Sequence, residues 1–327
     1  MSKKIILITG GAGFLGCNLT RKLLEEGHKV IVLDDLSTGR LQNLIDFEKN
    51  ENFEFIKHDI CDPIDVRADW IFNFACPASP PKYQKDPIQT IKTSVWGSFN
   101  LLELARKYGS RILHTSTSEV YGDPTVHPQI ETYRGNVNPI GIRACYDEGK
   151  RCAETLFFDY KRKFDLDIKV VRIFNTYGPY MDPDDGRVIS NFVVRALKGL
   201  PLEVYGDGKQ TRSFCYVDDM IKALLLMINS NSDVIGPINI GNPGEFSINE
   251  LVKVLESLFA KKLSINYKNL PQDDPMKRKP DITLARELLG WEPKINLNEG
   301  LENSVKYFRS VISEYNADPF SCDSCLQ

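Results

Sequence analysis

No apolar run in this chain of 327 residues approaches the roughly 18 needed to span a bilayer. The opening MSKKIILITG is apolar but short, and reads as a strand rather than a signal peptide. Charge of one sign is also missing. With 41 basic against 44 acidic residues the formal charge is −3, which gives no support to nucleic acid or an anionic membrane as the main partner. The four histidines, His28, His58, His114 and His127, share no metal-ligand spacing. Of eight cysteines only Cys322 and Cys325 form a Cys-x-x-Cys pair, in the polar tail DPFSCDSCLQ, and the second pair that a zinc site wants is absent. No metal is expected. The remaining cysteines, Cys76 among them, are scattered through apparent strands and helices as buried thiols are in a reducing compartment. A cytoplasmic protein is expected, unless an anchor has been removed from the N-terminus. There is no internal repeat or low-complexity block, and the length allows one large or two modest domains with ample core.

What is present begins at the N-terminus. KKIILITG reads as a strand, and GGAGFLG follows at once. Gly10, Gly13 and Gly16 allow a tight turn, close approach to a pyrophosphate and packing of a helix on the sheet. Phe14 and Leu15 open that helix, which runs to about Glu26 and offers unpaired N–H groups and a positive dipole end to an anion. A second strand, KVIVLDD, ends in Asp34, about twenty residues on, where a carboxylate accepts hydrogen bonds from an adenosine ribose. It would repel a 2′-phosphate, so NAD is expected over NADP, with Arg40 close behind as the one contrary sign. Asp59 and Ile60, after FEFIKH, are placed to meet the adenine.

Strand and helix patterns then alternate. Strands are expected at FEFIKH, DWIFNFA, RILHTST and DIKVVRIFN, and helices near Pro87–Tyr108 and Cys145–Phe164. This is the pattern of a doubly wound parallel α/β sheet of Rossmann type, with Phe74, Thr115 and Asn175 at its ligand-binding edge. From about Asn175 the texture changes to long loops carrying Gly, Pro, Asp and Arg (TYGPYMDPDDGRV, YGDGKQTRSF, GNPGEF and QDDPMKRKPD). Short helices are expected between them near Ile189–Leu197, Val217–Ile228, Ile248–Leu258 and Ile282–Leu289. The expected division is a cofactor domain over residues 1–175, a smaller C-terminal α/β substrate subdomain over 176–315 that can cross back to the first, and a polar tail over 316–327.

Tyr146 and Lys150 stand four apart in CYDEGKR, on one face of a helix. An ammonium beside a phenol favours the phenolate, so Tyr146 is expected as a base near neutral pH, with the Thr117 hydroxyl of HTSTSEVYG on the same substrate oxygen. Tyr-x-x-x-Lys alone is common on surface helices; the cofactor motif upstream gives it weight.

These pieces together resemble the extended short-chain dehydrogenase/reductase family, from Lys3 to about Arg309. ACPASPPKYQKDPIQTIKTSVWGS, TSTSEVYGDP, NVNPIGIRACYDEGKR, RIFNTYGPYM, DGRVISNF and DDPMKRKPD are similar to the branch of that family that decarboxylates UDP-glucuronate. The resemblance implies conversion of UDP-glucuronate to UDP-xylose through a UDP-4-keto-hexuronate, with NAD+ regenerated internally. It makes Thr117, Tyr146 and Lys150 the catalytic set, and Glu119 and Arg278 the marks of the decarboxylase. Arg278 would steer the sugar carboxylate. Glu119, sharing a strand side with Thr117, would order the sugar or a water, or discourage the carboxylate from settling. Asn175, Arg187 and Arg212 would hold the UDP portion, with Val188 and Tyr205 flanking the uracil. The resemblance also implies a homodimer through the helices Pro87–Tyr108 and Cys145–Phe164. Four positions depart from the pattern: Tyr180 stands for a usual Arg, removing a cation near the cleft, while Ile142, Ala144 and Arg134 replace a usual Pro, Ser and aromatic. A nucleotide-sugar 4-epimerase or 4,6-dehydratase is the rival within the fold, and an idle NAD-sensing protein the rival outside it.

Overall fold

The computed structural model describes residues 2–270 and 277–317, the side chains of the last four excepted. Six strands expected from the apolar runs form: β1 (Ile5–Thr9), β2 (Lys29–Asp34), β3 (Phe53–Lys57), β4 (Trp70–Asn73), β5 (Arg111–Thr117) and β6 (Ile168–Ile173). A seventh, Ile238–Ile240, pairs parallel with β6. Across the sheet the order is Ile238–Ile240, β6, β5, β4, β1, β2, β3, all neighbours parallel. The strands are apolar almost throughout because helices cover both faces. Alternation decides which face each residue serves: Ile6, Ile8, Val30 and Val32 join one core cluster, Leu7, Ile31 and Leu33 the other. The chain leaves β1 towards β3, then returns to β4 on the other side of β1. That reversal opens the crevice where such sheets hold ligands.

The first helix spans Phe14–Glu25. The segment expected as one helix over Pro87–Tyr108 is helical throughout, but passes through a π turn at Thr93–Gly97. There a Cβ on Gly97 would lie 2.2 Å from Ile60 Cδ1, so the wider turn marks where this helix presses on Ile60 in the loop after β3. A short helix, Pro80–Lys85, precedes it. The long helix is Ala144–Phe164. Later helices span Val188–Leu197, Val217–Asn229, Ile248–Phe259 and Thr283–Leu289, each within a residue of expectation; Leu297–Ala317 was not anticipated.

All four runs expected as loops carry short strands, the first through Thr176–Tyr177, which pairs in parallel with Cys215–Tyr216. Glu245–Ser247 pairs antiparallel with Thr211–Ser213, and Lys277–Arg278 pairs with the same strand in parallel, setting Arg278 beside Arg212. Their partners lie over 30 residues apart in sequence, so local composition gave no sign of the pairing. Among the described residues no helix is long and apolar enough to cross a membrane.

Candidate active site

One cavity of about 570 Å³ lies at the C-terminal edge of the sheet. Every candidate residue lines it: Gly10, Gly13, Phe14, Leu15, Gly16, Asp34, Asp59 and Ile60 from the first strands, Thr117, Glu119, Tyr146 and Lys150 from the middle, and Asn175, Arg187, Val188, Tyr205, Arg212 and Arg278 from the second half.

The glycine turn is built by close approach. Gly10 has φ +69°, and a Cβ there would lie 2.8 Å from the Ala75 backbone N, so the exits of β1 and β4 touch. A Cβ on Gly16 would lie 2.4 Å from the Gly10 carbonyl oxygen. The helix Phe14–Glu25 has no capping side chain and no acid in its first turn, which leaves its N–H groups to an anion. The Asp34 carboxylate accepts from Ala12 N–H at 3.0 Å and Leu36 N–H at 2.8 Å, and burial nevertheless holds it above the usual carboxylate range. Asp59 accepts from Cys61 N–H at 2.8 Å and Gln89 Nε2 at 2.9 Å. A turn shaped by backbone contact, an open helix end and two anchored carboxylates fit a dinucleotide.

At the centre, Lys150 Nζ donates to the Thr115 carbonyl at 2.9 Å and lies 6.0 Å from the Tyr146 ring centre. The Thr117 hydroxyl bears on the Tyr146 phenol and favours its ionised form. The pair stands where its spacing predicts, but the expected electrostatics do not hold in the protein alone. Burial is the largest influence on Tyr146 and pushes the phenol up, with Thr117 and Arg187 opposing it; burial also lowers Lys150. Burial thus disfavours the phenolate, and positive charge brought into the cavity would favour it.

Glu119 does not share a strand side with Thr117, because β5 ends there and Ser118–Tyr121 forms a 3₁₀ turn whose Glu119 N–H is accepted by Thr117 Oγ1 at 3.1 Å. The turn swings the carboxylate between two guanidiniums. Arg143 donates to Glu119 Oε2 at 2.6 Å, and Arg278 reaches the same oxygen at 3.3 Å. Burial opposes ionisation, but Arg278 and Arg143 overcome it and hold the carboxyl well below its usual range. Arg278 is 2% exposed and also donates to the Ser118 and Gly122 carbonyls. Arg187 is paired with Asp185, whose Oδ1 accepts from its Nη2 at 2.9 Å.

Two lining residues escaped the sequence reading. Arg143 begins the helix three positions before Tyr146 and seven before Lys150, on their face, so helical spacing carried the signal. Tyr83 carried none; it arrives from the Pro80–Lys85 helix and stacks on Tyr146 with ring centres 5.0 Å apart and planes 3° from parallel. Tyr180, which stands where a cation is usual, has Arg21 4.9 Å over its ring and donating to its hydroxyl, but Arg21 is paired with Asp46 and does not line the cavity. Cys76 lines the cavity with its Sγ 3.2 Å from Ser94 Oγ, and burial pushes the thiol up, as suits an unreactive side chain. Among the described residues no group of three or more His, Cys, Asp or Glu is placed to hold a metal. Cys322 and Cys325 lie outside the described residues, as does the 272–276 part of the QDDPMKRKPD run.

Comparison with known proteins agrees with this geometry. A model of the NAD dependent epimerase/dehydratase family matches residues 6–241. UDP-glucuronic acid decarboxylase 2 of Arabidopsis thaliana is 54% identical over 307 residues, 94% of this chain and 68% of that protein. UDP-glucuronic acid decarboxylase 1 of Xenopus tropicalis is 51% identical over 310 residues, 95% of this chain and 73% of that one. Among solved structures, the UDP-glucose 4-epimerase of Thermotoga maritima with UDP-glucose superposes with a TM-score of 0.84 at 34% identity, over 94% of this chain and 99% of that one. The UDP-glucuronic acid 4-epimerase of Bacillus cereus, in complex with UDP-glucuronic acid and NAD, also gives 0.84, at 28% identity over the same shares. This chain belongs to the NAD dependent epimerase/dehydratase family.

Proposed function

We propose that this protein is an NAD-dependent decarboxylase that converts UDP-glucuronate to UDP-xylose. The observation that carries this reading is Glu119 held between Arg143 and Arg278 beside Thr117, Tyr146 and Lys150, in a chain 51–54% identical to UDP-glucuronic acid decarboxylases. NAD, when bound, supplies the acceptor and later the donor of the hydride at sugar carbon 4. The glycine turn and the helix end at Phe14 and Leu15 hold its pyrophosphate, Asp34 its adenosine ribose, Asp59 and Ile60 its adenine, and Lys150 its nicotinamide ribose. Tyr146 takes the proton of the 4-hydroxyl and Thr117 steadies that oxygen. Oxidation at carbon 4 makes the substrate a β-keto acid, whose carboxylate leaves because the ketone accepts the electron pair. Arg278, with Arg143, steers the carboxylate and offsets charge growing on the enolate. Glu119 keeps that double guanidinium from clamping the carboxylate so firmly that carbon dioxide cannot leave. Asn175, Arg187 and Arg212 hold the diphosphate side of UDP, and Val188 and Tyr205 flank the uracil.

The exposed apolar side chains Ile88, Trp96, Phe99 and Phe164 support a homodimer through the helices Pro87–Tyr108 and Ala144–Phe164. The six described cysteines are unpaired thiols, which suits a cytoplasmic setting. The testing experiment incubates UDP-glucuronate and NAD+ with the protein and follows product mass and NADH absorbance. UDP-xylose with little net NADH is expected, and Tyr146→Phe should slow it by about a hundredfold to ten-thousandfold. An isomer of unchanged mass would make the protein a 4-epimerase instead.

A further inference from the structure

Loss of carbon dioxide from the keto acid leaves a carbon 5 that must take up one proton, and of the groups packed around Tyr146 few are able to give it. Tyr146 is committed, because the proton it takes from the 4-hydroxyl returns to that oxygen when carbon 4 is reduced. Glu119 is ionised between its two arginines, and guanidiniums do not release protons near neutral pH. Lys150 is engaged with the Thr115 carbonyl and Cys76 with Ser94. Tyr83 remains. It is 1% exposed and lines the cavity, yet its hydroxyl has no hydrogen-bond partner among the described residues. A buried hydroxyl without a partner is uncommon and asks for an explanation. Its ring stacks on Tyr146, and the charges bearing on it are those of Arg143, Glu119 and Asp147. Tyr83 thus lies against the group that works at carbon 4 and within the field of Arg143 and Glu119 near the carboxylate, and carbon 5 lies between carbon 4 and the carboxylate.

We propose that Tyr83 donates the proton to carbon 5 and that Asp147 restores it. The inference rests on the decarboxylase reading above. The bond from carbon 5 to the carboxyl carbon breaks, and its electron pair stays as the enolate. That pair forms the new C–H bond with the Tyr83 proton, and the O–H pair remains on the phenol oxygen as phenolate. Asp147 is not in hydrogen-bond contact with Tyr83, so it reprotonates the phenolate through water and is itself recharged from solvent, and each carbon dioxide released consumes one solvent proton. Asp147 suits the task because it is 6% exposed, its Oδ1 also lacks a partner among the described residues, and burial, with Glu119 nearby, raises its pKa to about 8 and so favours the acid form.

The test compares the wild-type holoenzyme with Tyr83→Phe, which keeps the stacked ring, and Asp147→Asn, with thermal unfolding to confirm that each folds. Carbon dioxide, NADH absorbance and the ratio of UDP-4-keto-pentose to UDP-xylose are read after mixing with UDP-glucuronate in D2O. Wild type should give UDP-xylose with one deuterium on carbon 5. Tyr83→Phe should still release carbon dioxide but raise the keto-pentose to UDP-xylose ratio about a hundredfold, the scale of a lost general acid, with NADH accumulating. Asp147→Asn should move the ratio the same way. An unchanged ratio in both variants overturns the assignment, as does a raised KM in Tyr83→Phe without a change in ratio. A wild type that releases no carbon dioxide overturns the decarboxylase reading itself, which separates the two failures.

Discussion

Asp147 and Glu119 face the same two arginines and respond in opposite directions. Glu119 touches both guanidiniums, so its ionised form is favoured in the folded protein. Its contribution to stability is present above the unfolded carboxylate pKa and is lost as pH falls through the depressed value. Asp147 is buried, and this desolvation, with the negative Glu119 nearby, raises its pKa to about 8. Its stabilising contribution is complete below its unfolded pKa and disappears as pH rises towards about 8. Asp147→Asn should therefore unfold at a higher temperature than wild type at pH 8, with the gap closing by pH 4. A wild type more stable than the variant at pH 8 would contradict this. The same variant should lose product control, a trade of function against stability seen where buried charges serve chemistry. At this scale the sequence carried the types and spacing of Thr117, Tyr146 and Lys150. It did not carry the phenol's protonation, because desolvation depends on what the rest of the chain places over it.

Local pattern served long elements well and short ones badly. The apolar runs of β1 to β6 and the helices flanking them could be read because each repeats its signal over several residues. Leu297, Leu301 and Phe308 line the core at helical spacing in Leu297–Ala317, so that helix was legible although unread. Ile238–Ile240 and the strands bearing Arg212 and Arg278 are only two or three residues long and exist through partners distant in sequence. The glycine turn is the element where the strictest local rule applies. Gly16→Ala would set a methyl 2.4 Å from the Gly10 carbonyl, backbone that cannot swing aside. NAD affinity, measured by titration calorimetry, should fall at least about tenfold, a change of ~1.4 kcal/mol or more. Retained affinity would mean that the turn has room the geometry denies.

For the whole molecule, Trp96, 61% exposed on the Pro87–Tyr108 helix, tests the proposed pairing of two chains. Light scattering at micromolar concentration should give a dimer mass for wild type and a monomer mass for Trp96→Glu, since a carboxylate in an apolar contact is costly to bury. A wild-type monomer would remove the dimer from the proposal. The proposed cofactor and substrate residues line one cavity within a single chain, so the monomeric variant should still bind NAD. The order of strand, glycine turn, helix, strand and acid, and the spacing of Tyr146 and Lys150, are properties of neighbouring residues and could be read from the chain directly. Setting Arg278 beside Arg212, placing Glu119 between Arg143 and Arg278, and laying Tyr83 over Tyr146 each join segments far apart along it. Those contacts depend on how the sheet and helices pack, and no local periodicity encodes them.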